Sequence, residues 1–247
     1  MLSPDPQASA PSPSTVANTH FVVLGAGGLG CPALLGLQMA GAQRITLFDH
    51  DRVERHNLQR QVLYSTADVG ALKATAAAHT LHARGTGLRV TARAERLSPS
   101  AVDSLVEGLD ADATVLECTD DPAIKFALND AGLRHGRRVV IAAALGWRGQ
   151  AIAVDARAAC YRCIYEAPPA AAAVPTCAEA GVIGASVGML GFVAAHLAVQ
   201  LASGVREVSG RLHTLDLLSG DARPLHPAIR TGCPGPHAVA PAAQQLS

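Results

Sequence analysis

A chain of 247 residues with 49% apolar content can bury one sizeable core, and a second full domain would be a squeeze. Lysine plus arginine and aspartate plus glutamate number 20 each, a balance that argues against an electrostatic nucleic-acid binder and against a polybasic membrane anchor. Six cysteines over this length do not make a secreted disulfide framework, so a reducing, cytoplasmic setting is expected.

Met1 to Asn18 holds four prolines and four serines, no lysine or arginine and no apolar block, and is expected to be a disordered tail (1–18) rather than a signal peptide. Short β-rich runs then alternate with helical stretches. The strands are expected at Phe21 to Leu24, Arg44 to Phe48, Leu88 to Ala92, Ala113 to Cys118 and Arg138 to Ala144. The helices between them are expected at Cys31 to Ala40, Gly70 to Arg84, Pro99 to Gly108 and Pro122 to His135. This alternation marks βαβ units and a mostly parallel sheet.

After Leu145 the rhythm changes. Gly149 to Val154 follows its predecessor too closely for a crossover and must pair antiparallel with a near neighbour, so the sheet is mixed. A Pro-bounded, Ala-rich loop from Pro168 to Pro175 leads to a stretch, Ala180 to Val205, without a charged residue. It is long enough to cross a bilayer. Its glycines, His196 and Gln200, and the lack of basic flanks, make a buried helix at a subunit contact the simpler reading, without membrane contact. A late strand, Arg211 to Leu217, and a flexible tail (238–247) complete the chain.

The chemistry concentrates between Leu24 and Lys73. Gly25-Ala26-Gly27-Gly28-Leu29-Gly30 lies where a strand turns into a helix, a place where backbone N–H groups approach phosphates at the positive end of a helix dipole. Asp49 ends the second strand, nineteen residues after Gly30, where a carboxylate accepts ribose hydroxyls. That much serves NAD and ATP alike. Arg60 and Lys73 favour ATP, because departing pyrophosphate develops negative charge that cations stabilise, and Asn57 and Gln61 add neutral hydrogen bonds beside them. Asp120, at the C-terminal end of a buried strand, is the candidate for magnesium, and Asp121, before Pro122, is the candidate helix cap.

These segments, Gly25 to Gly30, Asp49 to Asp51, Asn57 to Gln61, Gly70 to Lys73 and Cys118 to Asp120, resemble the MoeB/ThiF/HesA branch of the ubiquitin-activating (E1-like) superfamily. The resemblance implies a Rossmann-like α/β ATP-binding fold with a mixed sheet, parallel in its N-terminal half and antiparallel in its C-terminal strands. It implies an E1-like adenylation domain over 19–237 with a crossover loop near 165–176, acting as a homodimer. The implied activity is adenylation of the C-terminal Gly-Gly carboxylate of a ubiquitin-like sulfur carrier. Asp49 is assigned to the ribose, with Asp51 beside it, Asn57, Arg60 and Lys73 to the phosphates, and Asp120 to Mg2+.

The resemblance extends to Thr176-Cys177, whose cysteine takes the activated carboxylate in some relatives. A small core thiol is the alternative. Cys160 and Cys163 match the first half of the family's structural Zn2+ site; the second half here reads Cys233 to His237, so either His237 completes a Cys3His set or the site is degraded.

The pattern departs from the family in several places. Relatives carry an arginine ahead of the first strand, asparagine where Asp121 stands and arginine where Lys125 stands. A rhodanese-like domain is missing, so a separate sulfur donor is expected. An E1-like enzyme acting on a small peptide, a non-catalytic scaffold and an NAD-dependent oxidoreductase are the competing readings.

Overall fold

The computed structural model describes residues 13–169 and 181–237. Its centre is an eight-stranded sheet in the order β3-β2-β1-β4-β5-β6-β7-β8. β1 (His20–Leu24), β2 (Arg44–Phe48), β3 (Arg89–Arg93), β4 (Thr114–Glu117) and β5 (Arg138–Leu145) run parallel. β6 (Arg148–Val154), β7 (Leu212–Asp216) and β8 (Asp221–Leu225) continue antiparallel. The mixed sheet expected from the spacing after Leu145 is therefore present, with Gly146 at the reversal.

β1 is buried along its whole length because helices cover both faces of the sheet. Its side chains alternate: Phe21 and Val23 join a core layer with Leu34, Leu81 and Leu190, while Val22 and Leu24 join a second layer with Val102, Phe126 and Leu128. The first layer lies under α2 (Gly30–Met39), α3 (Lys73–Ala83) and α7 (Gly184–Ala202), the second under α4 (Pro99–Glu107) and α5 (Pro122–Arg134). A short α6 (Tyr161–Ile164) packs on α5.

α7 is the uncharged stretch, long and apolar enough by itself to span a membrane. Here it is a core helix: Leu190, Ala194, Leu197, Ala198 and Leu201 are buried among α2 and the sheet. The contact is close because Gly191 has no side chain, and a Cβ there would stand 2.4 Å from Pro32 Cγ.

Three expectations need correction. Residues 13–18 form a helix, α1 (Pro13–Asn18), instead of a disordered tail. Val16 is buried in the first core layer, and the Thr19 hydroxyl donates to the Thr15 carbonyl, which anchors the segment. The third helix begins at Lys73 rather than Gly70, since Gly70 adopts φ +92° and Leu72 is extended. An eighth strand follows β7, every residue of it exposed.

Candidate active site

In the strand order, connections leave in opposite directions on either side of β1 and β4, so a crevice opens at the C-terminal ends of these two strands. The glycine loop follows β1 and the Cys118–Asp121 segment follows β4, and the two meet there. Gly25 has φ +93°, and a Cβ on it would stand 2.9 Å from the Cys118 carbonyl oxygen. A Cβ on Gly30 would lie 1.9 Å from the Gly25 carbonyl oxygen, so the turn closes only with glycine at its end. Leu29, at the N-cap of α2, makes no side-chain cap, which leaves the positive end of the helix uncapped beside Gly27 and Gly28.

Asp49 follows β2 and is tied to this loop. Its Oδ2 accepts the Ala26 N–H at 2.7 Å, and its Oδ1 accepts the Asp51 N–H at 2.9 Å. Burial pushes its carboxyl above the usual range, against the opposing pull of the Ala26 N–H and the Lys73 charge. Lys73, the first residue of α3, is buried, and its ammonium donates to Asp51 Oδ2 at 2.9 Å. Partial burial pushes the Asp51 carboxyl up, but the Lys73 hydrogen bond and charge outweigh it, and the group titrates below the usual range.

Between them runs a 3-10 turn, Arg55–Asn57, that sets three further groups. Asn57 Oδ1 accepts from Arg60 Nη2 at 3.1 Å, which fixes the guanidinium. Gln61 is buried against Gly27, and its Oε1 has no partner among the described residues, a buried acceptor left for a ligand or water. Sequence reasoning missed Tyr64. Its buried hydroxyl lies 2.9 Å from the Ala26 carbonyl and 3.2 Å from the Lys73 carbonyl, joining the glycine loop to the start of α3. No local pattern signals this, because the partners are 38 and 9 residues away.

On the other wall Asp120 is exposed, and its carboxylate makes no ion pair or hydrogen bond among the described residues. Asp121 caps α5 by accepting the Ala123 N–H at 2.8 Å, as expected from its place before Pro122. An exposed, unpaired carboxylate in the segment whose Cys118 carbonyl packs on Gly25 is of a type that suits a hard cation that also takes phosphate oxygens.

A second cluster lies away from this crevice. Cys160 precedes α6, which α5 holds firmly: Asn129 Oδ1 accepts the Tyr161 N–H at 2.9 Å, and Arg162 forks onto Asp130 at 2.7 and 2.8 Å. Cys160 Sγ is 3.8 Å from the sulfurs of Cys163 and Cys233, and His237 Nε2 is 3.3 Å from all three. A tetrahedral zinc with Zn–S near 2.3 Å places its sulfurs about 3.8 Å apart, so the donor set and spacing fit. The Gly235 N–H points to Cys233 Sγ at 3.4 Å, an outer contact suited to a thiolate. The structure thus brings His237 into the set, although the C-x-x-x-H spacing differs from a second cysteine pair. Cys177 lies outside the described residues.

Comparison with known proteins agrees with this geometry. The family profile described as the ThiF family matches residues 7–235. "Adenylyltransferase and sulfurtransferase UBA4" of Yarrowia lipolytica is 41% identical over 187 residues, 75% of this chain and 46% of that protein. "Adenylyltransferase and sulfurtransferase MOCS3" of Bos taurus is 37% identical over 210 residues, 84% of this chain and 46% of that protein. The chain thus spans about half the length of the curated relatives it matches. The crystal structure of E. coli MccB with ATP superposes with a TM-score of 0.77 at 18% identity, covering 91% of this chain and 68% of the other, a likeness of fold. With the profile spanning nearly the whole sequence and relatives 41% and 37% identical over 75% and 84% of it, the chain belongs to the ThiF family.

Proposed function

We propose that this chain is an ATP-dependent adenylyltransferase that activates the Gly-Gly carboxylate of a ubiquitin-like sulfur-carrier protein. A carboxylate oxygen attacks the α-phosphorus of ATP. The bond from that phosphorus to the β-phosphate oxygen breaks, pyrophosphate leaves with the electron pair, and an acyl-adenylate forms. The observation that carries this reading is a buried lysine, Lys73, linked through Asp51 and Asp49 to the glycine loop, with the backbone of the segment that carries Asp120 packed on Gly25 at Cys118 and Thr119. Hydride transfer requires neither.

Asp49 receives the ribose hydroxyls, and the loop N–H groups from Gly25 to Gly30 receive phosphate oxygens. Arg60, oriented by Asn57, and Lys73 neutralise the charge that grows on the departing pyrophosphate, with Gln61 donating beside them. Magnesium, when bound at Asp120, supplies a further positive charge to the phosphates. Holding carboxylate and phosphorus in line supplies much of the remaining rate. Cys177 is a proposed acceptor of the activated carboxylate.

Zinc at Cys160, Cys163, Cys233 and His237 is proposed as a structural ion, since four protein ligands fill a tetrahedral set and leave no position for water or substrate. A second copy of the chain is the proposed cover for Met39 on α2 and for Met189 and Phe192 on α7, each of which is exposed. The cytoplasm is the proposed compartment, because none of the described cysteines is in a disulfide.

The test is ATP–pyrophosphate exchange with a Gly-Gly-ended carrier. Exchange that needs the carrier and falls at least ~100-fold in Asp120→Ala supports the reading. Exchange supported only by a short peptide transfers the activity to a peptide substrate, and full exchange in Asp120→Ala removes the metal assignment. Absence of ATP binding makes the chain a scaffold.

A further inference from the structure

We propose that the buried pair Glu117–Lys125 is a positioning device for Asp120, clamping the backbone that carries this carboxylate to the mouth of the crevice. The proposal rests on Asp120 as the magnesium ligand. Glu117 is the last residue of β4 and is 0% exposed; Lys125 lies in the first turns of α5 and is 5% exposed. Two charges in such a layer lose their hydration, and their mutual attraction offsets that loss only where the remaining donors and acceptors are used as well, so where those remaining bonds go shows what the pair holds in place.

Every one is used, and most are spent on one residue. The Lys125 ammonium has three donors, and they go to the Glu117 carboxylate, to the Thr119 carbonyl at 2.7 Å and to the Ala142 carbonyl on β5 at 2.7 Å. The other Glu117 oxygen accepts both the Thr119 N–H, at 2.8 Å, and the Thr119 hydroxyl. The Thr119 hydroxyl accepts in turn from the Asp121 N–H at 3.2 Å, and Asp121 caps α5.

Thr119 is thus held at its N–H, its hydroxyl and its carbonyl, and Asp121 at its N–H and its side chain. Asp120 stands between two fixed residues with its own side chain free. A pair that served only to join β4 to α5 would need no bond to the peptide entering Asp120. This arrangement gives the exposed carboxylate a defined origin while leaving it open to a cation.

The experiment measures Mn2+ binding in the presence of ATP by electron paramagnetic resonance, alongside thermal melting and ATP affinity without metal. Lys125→Met alone strands a buried carboxylate and is expected to unfold readily. The informative variants are the uncharged double variant Glu117→Gln/Lys125→Met and, separately, Thr119→Val. Both are expected to fold, to bind Mn2+ about 10-fold more weakly, and to keep metal-free ATP affinity within about 2-fold. Lys125→Arg, which restores the cation, is expected to recover most of the Mn2+ affinity. Wild-type Mn2+ affinity in folded Thr119→Val or in the folded double variant overturns the proposal. If Asp120→Ala itself keeps wild-type Mn2+ affinity, the metal reading of Asp120 falls and the positioning role with it. Loss in Asp120→Ala with retention in the pair variants removes the positioning role alone.

Discussion

Lys73 and Asp51 form an unequal ion pair: the Lys73 side chain is 8% exposed, the Asp51 side chain 54%, and their charged groups meet at 2.9 Å. A pair with one partner in water contributes little to stability. Lys73→Met, which keeps the buried stem, is therefore expected to shift the melting temperature by only a few degrees while lowering pyrophosphate exchange ~100-fold or more. Parallel melting and exchange assays check it, and a large loss of stability with modest loss of exchange would make Lys73 structural.

The Tyr64 hydroxyl links two parts of the crevice that are distant in sequence, the glycine loop and the first residue of α3. Tyr64→Phe keeps the ring and leaves two buried carbonyls without that donor, which is expected to cost about 1–3 kcal/mol. Affinity for ATP should weaken as well, because Ala26 and Lys73 both belong to the proposed site. Denaturant unfolding and calorimetric ATP titration read the two effects separately.

Metal analysis of the purified chain is expected to give one zinc per molecule. Cys233→Ser and removal of the ion by a strong chelator should both lower the melting temperature, because an ion held by the four proposed ligands would join α6 to the segment holding Cys233 and His237. A chain free of zinc whose melting ignores the chelator would contradict the assignment.

Burial pushes the Cys31 thiol from its model-peptide value of 9.0 up to about 12. Its raised pKa stabilises the fold fully below pH 9, and that contribution is lost as the pH rises toward 12. Roughly 4 kcal/mol is lost across this window at 1.36 kcal/mol per unit. Cys118, buried beneath the same loop, is shifted upward by burial too and acts in the same direction. Cys31→Ala should flatten the alkaline limb of a stability–pH curve measured by urea unfolding, at the expense of a small cavity. An unchanged alkaline slope would assign that sensitivity to other groups.

Much of the fold and the crevice was legible because it is written in local pattern. Strand–Gly–helix order, Asp49 at a strand end and Asp121 before a proline each follow from neighbours in sequence, and each lies where expected. The antiparallel half was legible from one short spacing, Leu145 to Gly149. α1 was not, since the side chain that joins it to the core, Val16, is buried by partners from other elements and stands in a stretch rich in prolines and serines. β8 was hidden for the opposite reason: with all five residues exposed it has no inward-facing alternation to reveal it. The roles of Tyr64, Glu117 and Lys125 depend on partners supplied by other elements, which periodicity does not report.

The two outer strands, β3 and β8, have a consequence for growth of the assembly. β3 begins and ends with arginine, and β8 carries Asp221, Arg223 and Pro224, whose nitrogen has no hydrogen to donate. Both rims of the sheet are thus defended against adding a ninth strand from another molecule. With strand addition disfavoured at both rims, association falls to other surfaces, among them the helices α2, which exposes Met39, and α7, which exposes Met189 and Phe192.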